Sequence, residues 1–170
     1  TATTEIYTLS LHDALPIEGE LRPQLLDRFG LSVDVRTPNT VAERVEMIRR
    51  RDAFEHDNPA FMRKWNGQNT RIRKAIIAAR EALAQTKTPD EVVEDCARLS
   101  LALGADGLRG ELTLLKSARA LAAYEKSQTV TRKHLRRVAP LALSHRLRRD
   151  PLDEAGSSTR VDRTAAETLG

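Results

Sequence analysis

Two arginines have the type and placement for chemistry. Arg28 ends a short run of helical periodicity, Leu21, Leu25, Leu26 and Phe29, just before Gly30 and the alternating segment Leu31-Ser32-Val33-Asp34-Val35. A guanidinium held at a helix end beside a strand can be aimed at a phosphate, including one on another molecule. The planar fork of N–H donors matches phosphate oxygens. Arg109 follows Ala105-Asp106-Gly107 and falls in the first turn of a long helical run. A cation there opposes the helix dipole, so it calls for an anionic partner.

Other chemistries find little support. No G-x-x-x-x-G-K-[ST] and no G-x-G-x-x-G occurs in the 170 residues, and no apolar run ends in Asp-Glu to hold a magnesium ion. His134 and His145 are too far apart for a metal site, and His56 lies in a charged stretch with Asp52 and Asp57. These histidines read as solvated or capping groups. No Ser/His/Asp or Cys/His arrangement is supported by spacing. Asp90, Glu91, Glu94 and Asp95 gather at a helix N-terminus, where acids favour the dipole. The run HRLRRD, with Arg146, Arg148 and Arg149, reads as a solvated helix end or a subunit contact.

The elements that must position the arginines are mostly helical. Hydrophobic residues make up 40% of the chain and aromatics 4%, which points to a core of Leu, Ala, Val and Ile. Pro23 suits the first turn of a helix closing near Phe29, with Gly30 at its C′ position. The alternation from Leu31 to Val35 predicts a strand. Thr37-Pro38 opens a helix with Val41, Val45 and Ile48 on one face, running into Arg49-Arg50-Arg51. Asn58-Pro59 opens a short helix with Phe61, Met62 and Trp65. Gly67 and Asn69 interrupt it before a stripe of Ile72, Ile76, Ala79 and Leu83. Thr88-Pro89-Asp90-Glu91 reads as a capping box for a helix with Val92, Cys96, Leu99 and Leu103, stopped by Gly104. Next come a long helix with Leu108, Leu112, Leu115, Ala118 and Ala122, and one capped by Thr131 with Leu135, Val138 and Ala142. The polar tail from Leu152 is expected to be loosely held, with a last turn near Ala165.

The formal net charge is +4, and +6 without residues 1–17, which hold Glu5 and Asp13 and no Lys or Arg. A basic chain suits phosphate-bearing partners, and equally suits solvated helix faces. The single Cys96 excludes an intrachain disulfide and reads as a buried core thiol. No run approaches the roughly 20 apolar residues of a membrane span. Residues 1–17 lack the pattern of a signal peptide, and EIYTLSLHDALPI resembles a translated sequencing adapter, so this segment is set aside from fold reasoning.

Three stretches together, LRPQLLDRFGLSV, DGLRGELTLLKSARALAAYE and LALSHRLRRDPLDEAG, resemble the C-terminal part of the small ATPase subunit of magnesium chelatases, of the AAA+ class. The resemblance runs from Glu18 to Gly170. It implies a mainly α chain: an AAA+ helical lid bundle preceded by a stub, one helix plus one strand, of an α/β ATPase core. Residues 18–36 would end that core, 37–150 would be the helical region with the lid, and 151–170 a tail. The resemblance makes Arg28 the arginine finger acting in trans on a neighbouring subunit's ATP, and Arg109 the sensor 2 residue reaching the γ-phosphate. It implies ATP and Mg²⁺ as cofactors of the intact protein, a homo-oligomeric ring, a second AAA+ subunit and a large porphyrin-binding subunit as partners, and a bacterial cytoplasmic setting. It implies neither nucleic acid nor a membrane span. ATP hydrolysis would drive Mg²⁺ insertion into protoporphyrin IX in chlorophyll or bacteriochlorophyll synthesis. The family's P-loop, Mg²⁺-binding acids and sensor 1 strand would all precede Glu18.

The chain could be the lid of another AAA+ ATPase, such as the chelatase's second subunit or a MoxR-like protein. It could instead be a helical interaction or nucleic-acid-binding module, which predicts one continuous basic face, whereas the chelatase reading predicts Arg28 and Arg109 on separate edges. Lacking a phosphate loop, the 170-residue chain alone is expected to release no phosphate from ATP and to bind none tightly. A steady-state phosphate-release assay on the purified chain checks this, and measurable turnover overturns it.

Overall fold

The computed structural model describes residues 23–33, 35, 37–105, 107–147 and 156–170. The segment 1–17 set aside above lies outside them, as does the exit at Asp150-Pro151. The elements are α1 (Pro23–Leu26), α2 (Val41–His56), α3 (Asn58–Ala82), α4 (Asp90–Leu103), α5 (Leu108–Tyr124), α6 (Arg132–Leu143) and α7 (Gly156–Leu169), with 3₁₀ turns at Leu83–Gln85 and Ser144–Arg146. Helices α4, α5, α6 and α7 pack on one another, and α3 joins them through α5.

The core forms where the helical stripes converge. Leu99 of α4, Leu114 of α5, Leu135 and Leu143 of α6, and Val161 and Leu169 of α7 are fully or almost fully removed from water. Ala118 and Ala122 of α5 and Ala139 and Ala142 of α6 are likewise buried, and small side chains let these two helices approach closely. Gly104 ends α4 at φ 65°, the left-handed conformation that favours glycine, and its N–H caps the carbonyls of Ser100 and Leu101. Cys96 is buried as expected and donates to the Glu111 carbonyl at 3.5 Å. Burial pushes its thiol up to about 11, with the charge of Glu111 adding to the effect. At neutral pH it is therefore a protonated core group rather than a nucleophile.

Several local expectations change. Leu31 to Val35 is not a strand at its described residues: a lone strand needs an edge to pair with, and Leu31, Val33 and Val35 stay exposed. Helix α2 starts at Val41 with Thr40 as its cap, not at Pro38, because the Thr40 hydroxyl reaches the Glu43 N–H. Gly67 and Asn69 do not break the chain; α3 runs unbroken for 25 residues, since one mid-helix glycine costs only about 1 kcal/mol. Thr88 is not a cap. Pro89 takes that position, and the Thr88 hydroxyl accepts from Arg119 at 3.1 Å. On α5, Leu108 and Leu112 are exposed and the buried face runs through Gly110, Leu114 and Ala118. From Gly156 onward the tail is not loose: Val161, Ala165 and Leu169 recur at i, i+4, i+8 and place α7 in the core.

Two polar arrangements fix the bundle. Asp95 is 1% exposed, and its carboxylate accepts from Arg132 at 2.6 Å and from Arg98 at 3.2 Å, tying α4 to α6. Thr131 and His134 form a capping box: the Thr131 N–H donates to His134 Nδ1 at 2.9 Å, so of the two roles open to this histidine, solvated or capping, it takes the second. Burial lowers the pKa of this imidazole and the charge of Lys133 lowers it further. Glu125 stands 3.4 Å from Nε2, long for a hydrogen bond, and also pairs with Arg137, so its attraction does not reverse the shift.

The core assignment is checked by urea unfolding. Leu114→Ala should lose about 2–5 kcal/mol, whereas Leu101→Ala, at a side chain 79% exposed, should stay within about 0.5 kcal/mol of the parent. The capping box has a pH consequence. A histidine whose pKa is lower folded than unfolded stabilises fully above its unfolded value near 6.5, and that stability is lost as pH falls below it. The midpoint should fall between pH 7.5 and 5, and His134→Gln, which keeps an acceptor at the same helical position, should flatten the decline.

Candidate functional site

The site is built on the turn after α1. The Arg28 N–H donates to the Leu25 carbonyl at 3.0 Å and the Phe29 N–H to the Leu26 carbonyl at 3.1 Å, closing the helix into a tight exit. Arg28 is exposed at this exit, and among the described residues its guanidinium has no partner. Asp27 beside it is half-exposed and takes a different arginine on each carboxylate oxygen. Arg109 donates to Oδ2 at 2.5 Å and Arg146 to Oδ1 at 3.3 Å.

Arg109 occupies the first turn of α5 as the sequence places it, and Asp27 is the anion that its position against the helix dipole calls for. The two arginines do not lie on widely separate edges: Arg109 is bonded to the residue directly before Arg28. Both partners of that pair are about half exposed, at 58% and 43% of their side-chain surface. The pair is therefore held loosely, worth about 0.2–1 kcal/mol, and Arg109 can exchange the carboxylate for another anion at small cost.

Arg146 is the residue that the sequence reading misplaced. Rather than solvated, its side chain is 5% exposed. Its guanidinium donates to the carbonyls of Ala142 at 2.5 Å, Gly30 at 3.2 Å, Asp27 at 3.1 Å and Phe29 at 2.8 Å, besides the Asp27 carboxylate. A buried guanidinium requires such acceptors. The sequence did carry a signal: Leu135, Val138 and Ala142 set a helical stripe that continues to Arg146 at i+4. Next to it, His145 Nε2 lies 3.0 Å from the Phe29 carbonyl, so that nitrogen carries the proton. Burial lowers the pKa of His145 and Arg146 lowers it too, against opposing pulls from the Phe29 carbonyl and Asp27. It is therefore neutral at pH 7, and its Nδ1 is buried with no hydrogen-bond partner among the described residues.

Among the described residues no group of three His, Cys, Asp or Glu side chains could hold a metal ion, and no helix is long and apolar enough to cross a membrane. The acids at the start of α4 serve structure, Asp95 most of all. What the site offers is cationic: an exposed guanidinium, and a second one on a replaceable carboxylate.

The short helix α1 and the turn after it are held against the 3₁₀ turn Ser144–Arg146 at the end of α6. Residues 93–165 match the AAA lid domain family. The chain is 64% identical over 154 residues to the magnesium-chelatase 38 kDa subunit of Cereibacter sphaeroides, covering 91% of this chain and 46% of that protein. It is 61% identical over the same length to the subunit of the same name from Rhodobacter capsulatus, covering 91% and 44%. It is 39% identical over 155 residues to the magnesium-chelatase subunit ChlI of Anabaena variabilis, covering 91% and 46%. The chain is similar to these magnesium-chelatase subunits and spans less than half of their length.

Proposed function

We propose that this chain is the lid-bearing part of the ATP-hydrolysing subunit of a magnesium chelatase, which drives Mg²⁺ insertion into protoporphyrin IX on the way to chlorophyll or bacteriochlorophyll. In this reading Arg28 acts in trans. Its guanidinium, exposed on a turn that is otherwise pinned, enters the nucleotide site of the neighbouring subunit in a homo-oligomeric ring and answers the charge that spreads over the γ-phosphoryl oxygens in the transition state. Arg109 acts in cis. It leaves the Asp27 carboxylate for the γ-phosphate of its own subunit's ATP, one anion replacing another.

The observation that carries this reading is the contrast between Arg28 and the residues around it. Asp27, Phe29 and Gly30 are all held by Arg146, while Arg28 projects outward. A cation on a rigid support, with no described partner within its own chain, is suited to an anion on another. The described residues offer no cluster for Mg²⁺, so the metal that accompanies ATP would be held by other parts of the intact subunit. The second AAA+ subunit and the large porphyrin-binding subunit belong to this reading as partners, and the bacterial cytoplasm as its setting.

The test uses the intact subunit assembled with ATP. Arg28→Ala should lower kcat for hydrolysis by about 10³–10⁵, the range for a trans-acting arginine, with nucleotide binding retained. Arg109→Ala should also be inactive. Mixing the two variants should restore part of the turnover, because some interfaces then pair an intact finger with an intact cis site. Unchanged hydrolysis by Arg28→Ala, or no recovery on mixing, overturns the assignment.

A further inference from the structure

We infer that Arg146 is a positioning residue for Arg28: it clamps the Asp27–Gly30 turn to the end of α6, so that the lid, not only the core that precedes α1, sets where the trans-acting cation points. This rests on the reading of Arg28 given above.

Helix α1 makes its main packing contact with the 3₁₀ turn Ser144–Arg146. One guanidinium reaches the carbonyls of Asp27, Phe29 and Gly30, so backbone on both sides of Arg28 is fixed by a single side chain. The same guanidinium bonds the Ala142 carbonyl, one of the acceptors that the end of α6 leaves unpaired. On the bundle side the stem of Arg146 packs beside Gly110 of α5: a Cβ there would stand 3.3 Å from Leu143 Cδ2, a tight approach, and 3.5 Å from Arg146 Cδ, an ordinary contact. His145 adds a bond to the Phe29 carbonyl at 3.0 Å, and the Ser32 N–H donates to the Leu141 carbonyl at 2.8 Å.

The geometry then links the two phosphate-facing arginines. Arg109 and Arg146 share the Asp27 carboxylate. When Arg109 turns to its own nucleotide, Asp27 keeps Arg146, and the turn carrying Arg28 stays on the lid. Any shift of the lid that accompanies nucleotide binding in one subunit is thus carried to the cation offered to the next.

Two experiments test this. In the 170-residue chain, trypsin cleavage after Arg28 is followed by mass spectrometry beside cleavage after Arg80, which lies on α3. Cleavage tracks the open population of the site. Arg146→Gln and the milder Arg146→Lys should raise the rate after Arg28 by about tenfold, equivalent to about 1.4 kcal/mol of local opening, and leave Arg80 unchanged. An unchanged rate after Arg28 overturns the clamp. A rise at both sites in Arg146→Gln marks global unfolding, and Arg146→Lys then decides: a rise at both sites there also overturns a local role.

In the intact subunit, Arg146→Lys should lower kcat for ATP hydrolysis with KM unchanged, and should have no further effect in an Arg28→Ala background. Additive losses overturn the inference even if Arg28 proves to be the finger. An Arg28→Ala ring with normal hydrolysis overturns the nucleotide reading instead, a result distinguishable from failure of the clamp because the trypsin experiment does not depend on ATP.

Discussion

A guanidinium withdrawn from water must find acceptors for its N–H groups, and the junction between the entry turn and the bundle follows from that requirement at Arg146. The end of α6 supplies one acceptor and the turn after α1 supplies four, so two pieces of backbone far apart in sequence meet on one side chain. Removing one partner from such a contact leaves polar groups buried and unpaired, which costs more than the bonds contribute when whole. The same logic operates at Asp95, where a carboxylate at 1% exposure is tolerated because Arg132 and Arg98 both reach it. In each case a charge inside the protein specifies which elements lie together.

The mainly helical class, the converging stripes of α4 and α6, the stop at Gly104, the buried Cys96 and the cap at Thr131 were legible in the sequence, because each rests on local periodicity or local hydrogen bonding. What was misread depended on contacts across the fold. The alternation from Leu31 to Val35 has strand chemistry, but a strand exists only beside another. Gly67 looked like an interruption, but a long helix absorbs one glycine. Leu108 and Leu112 looked like core, yet the tight meeting of α5 with α6 turns the Gly110 face inward instead. The tail hid α7 because three apolar residues among polar ones, Val161, Ala165 and Leu169, are a narrow stripe.

At the candidate site, Arg28 and Arg109 were visible as cations in unusual places, and the need of Arg109 for an anion was visible too. The identity of that anion was not, since Asp27 lies 82 positions away. Arg146 was hidden by its neighbours: in a run of arginines, nothing local separates the one that is buried from those in water. Only its register with Ala142 marked it.

Helix α3 has a further consequence. Its last turns and the 3₁₀ turn that follows pack against α5, Lys87 and Thr129 bridge the two connections at that end, and its first turns meet α2 through Phe54, Phe61 and Trp65. Twenty-five residues at 1.5 Å each make a rod about 37 Å long, anchored to the bundle at one end. By length alone, a tilt of about 5° at the anchor would swing the aromatic tip by about 3 Å.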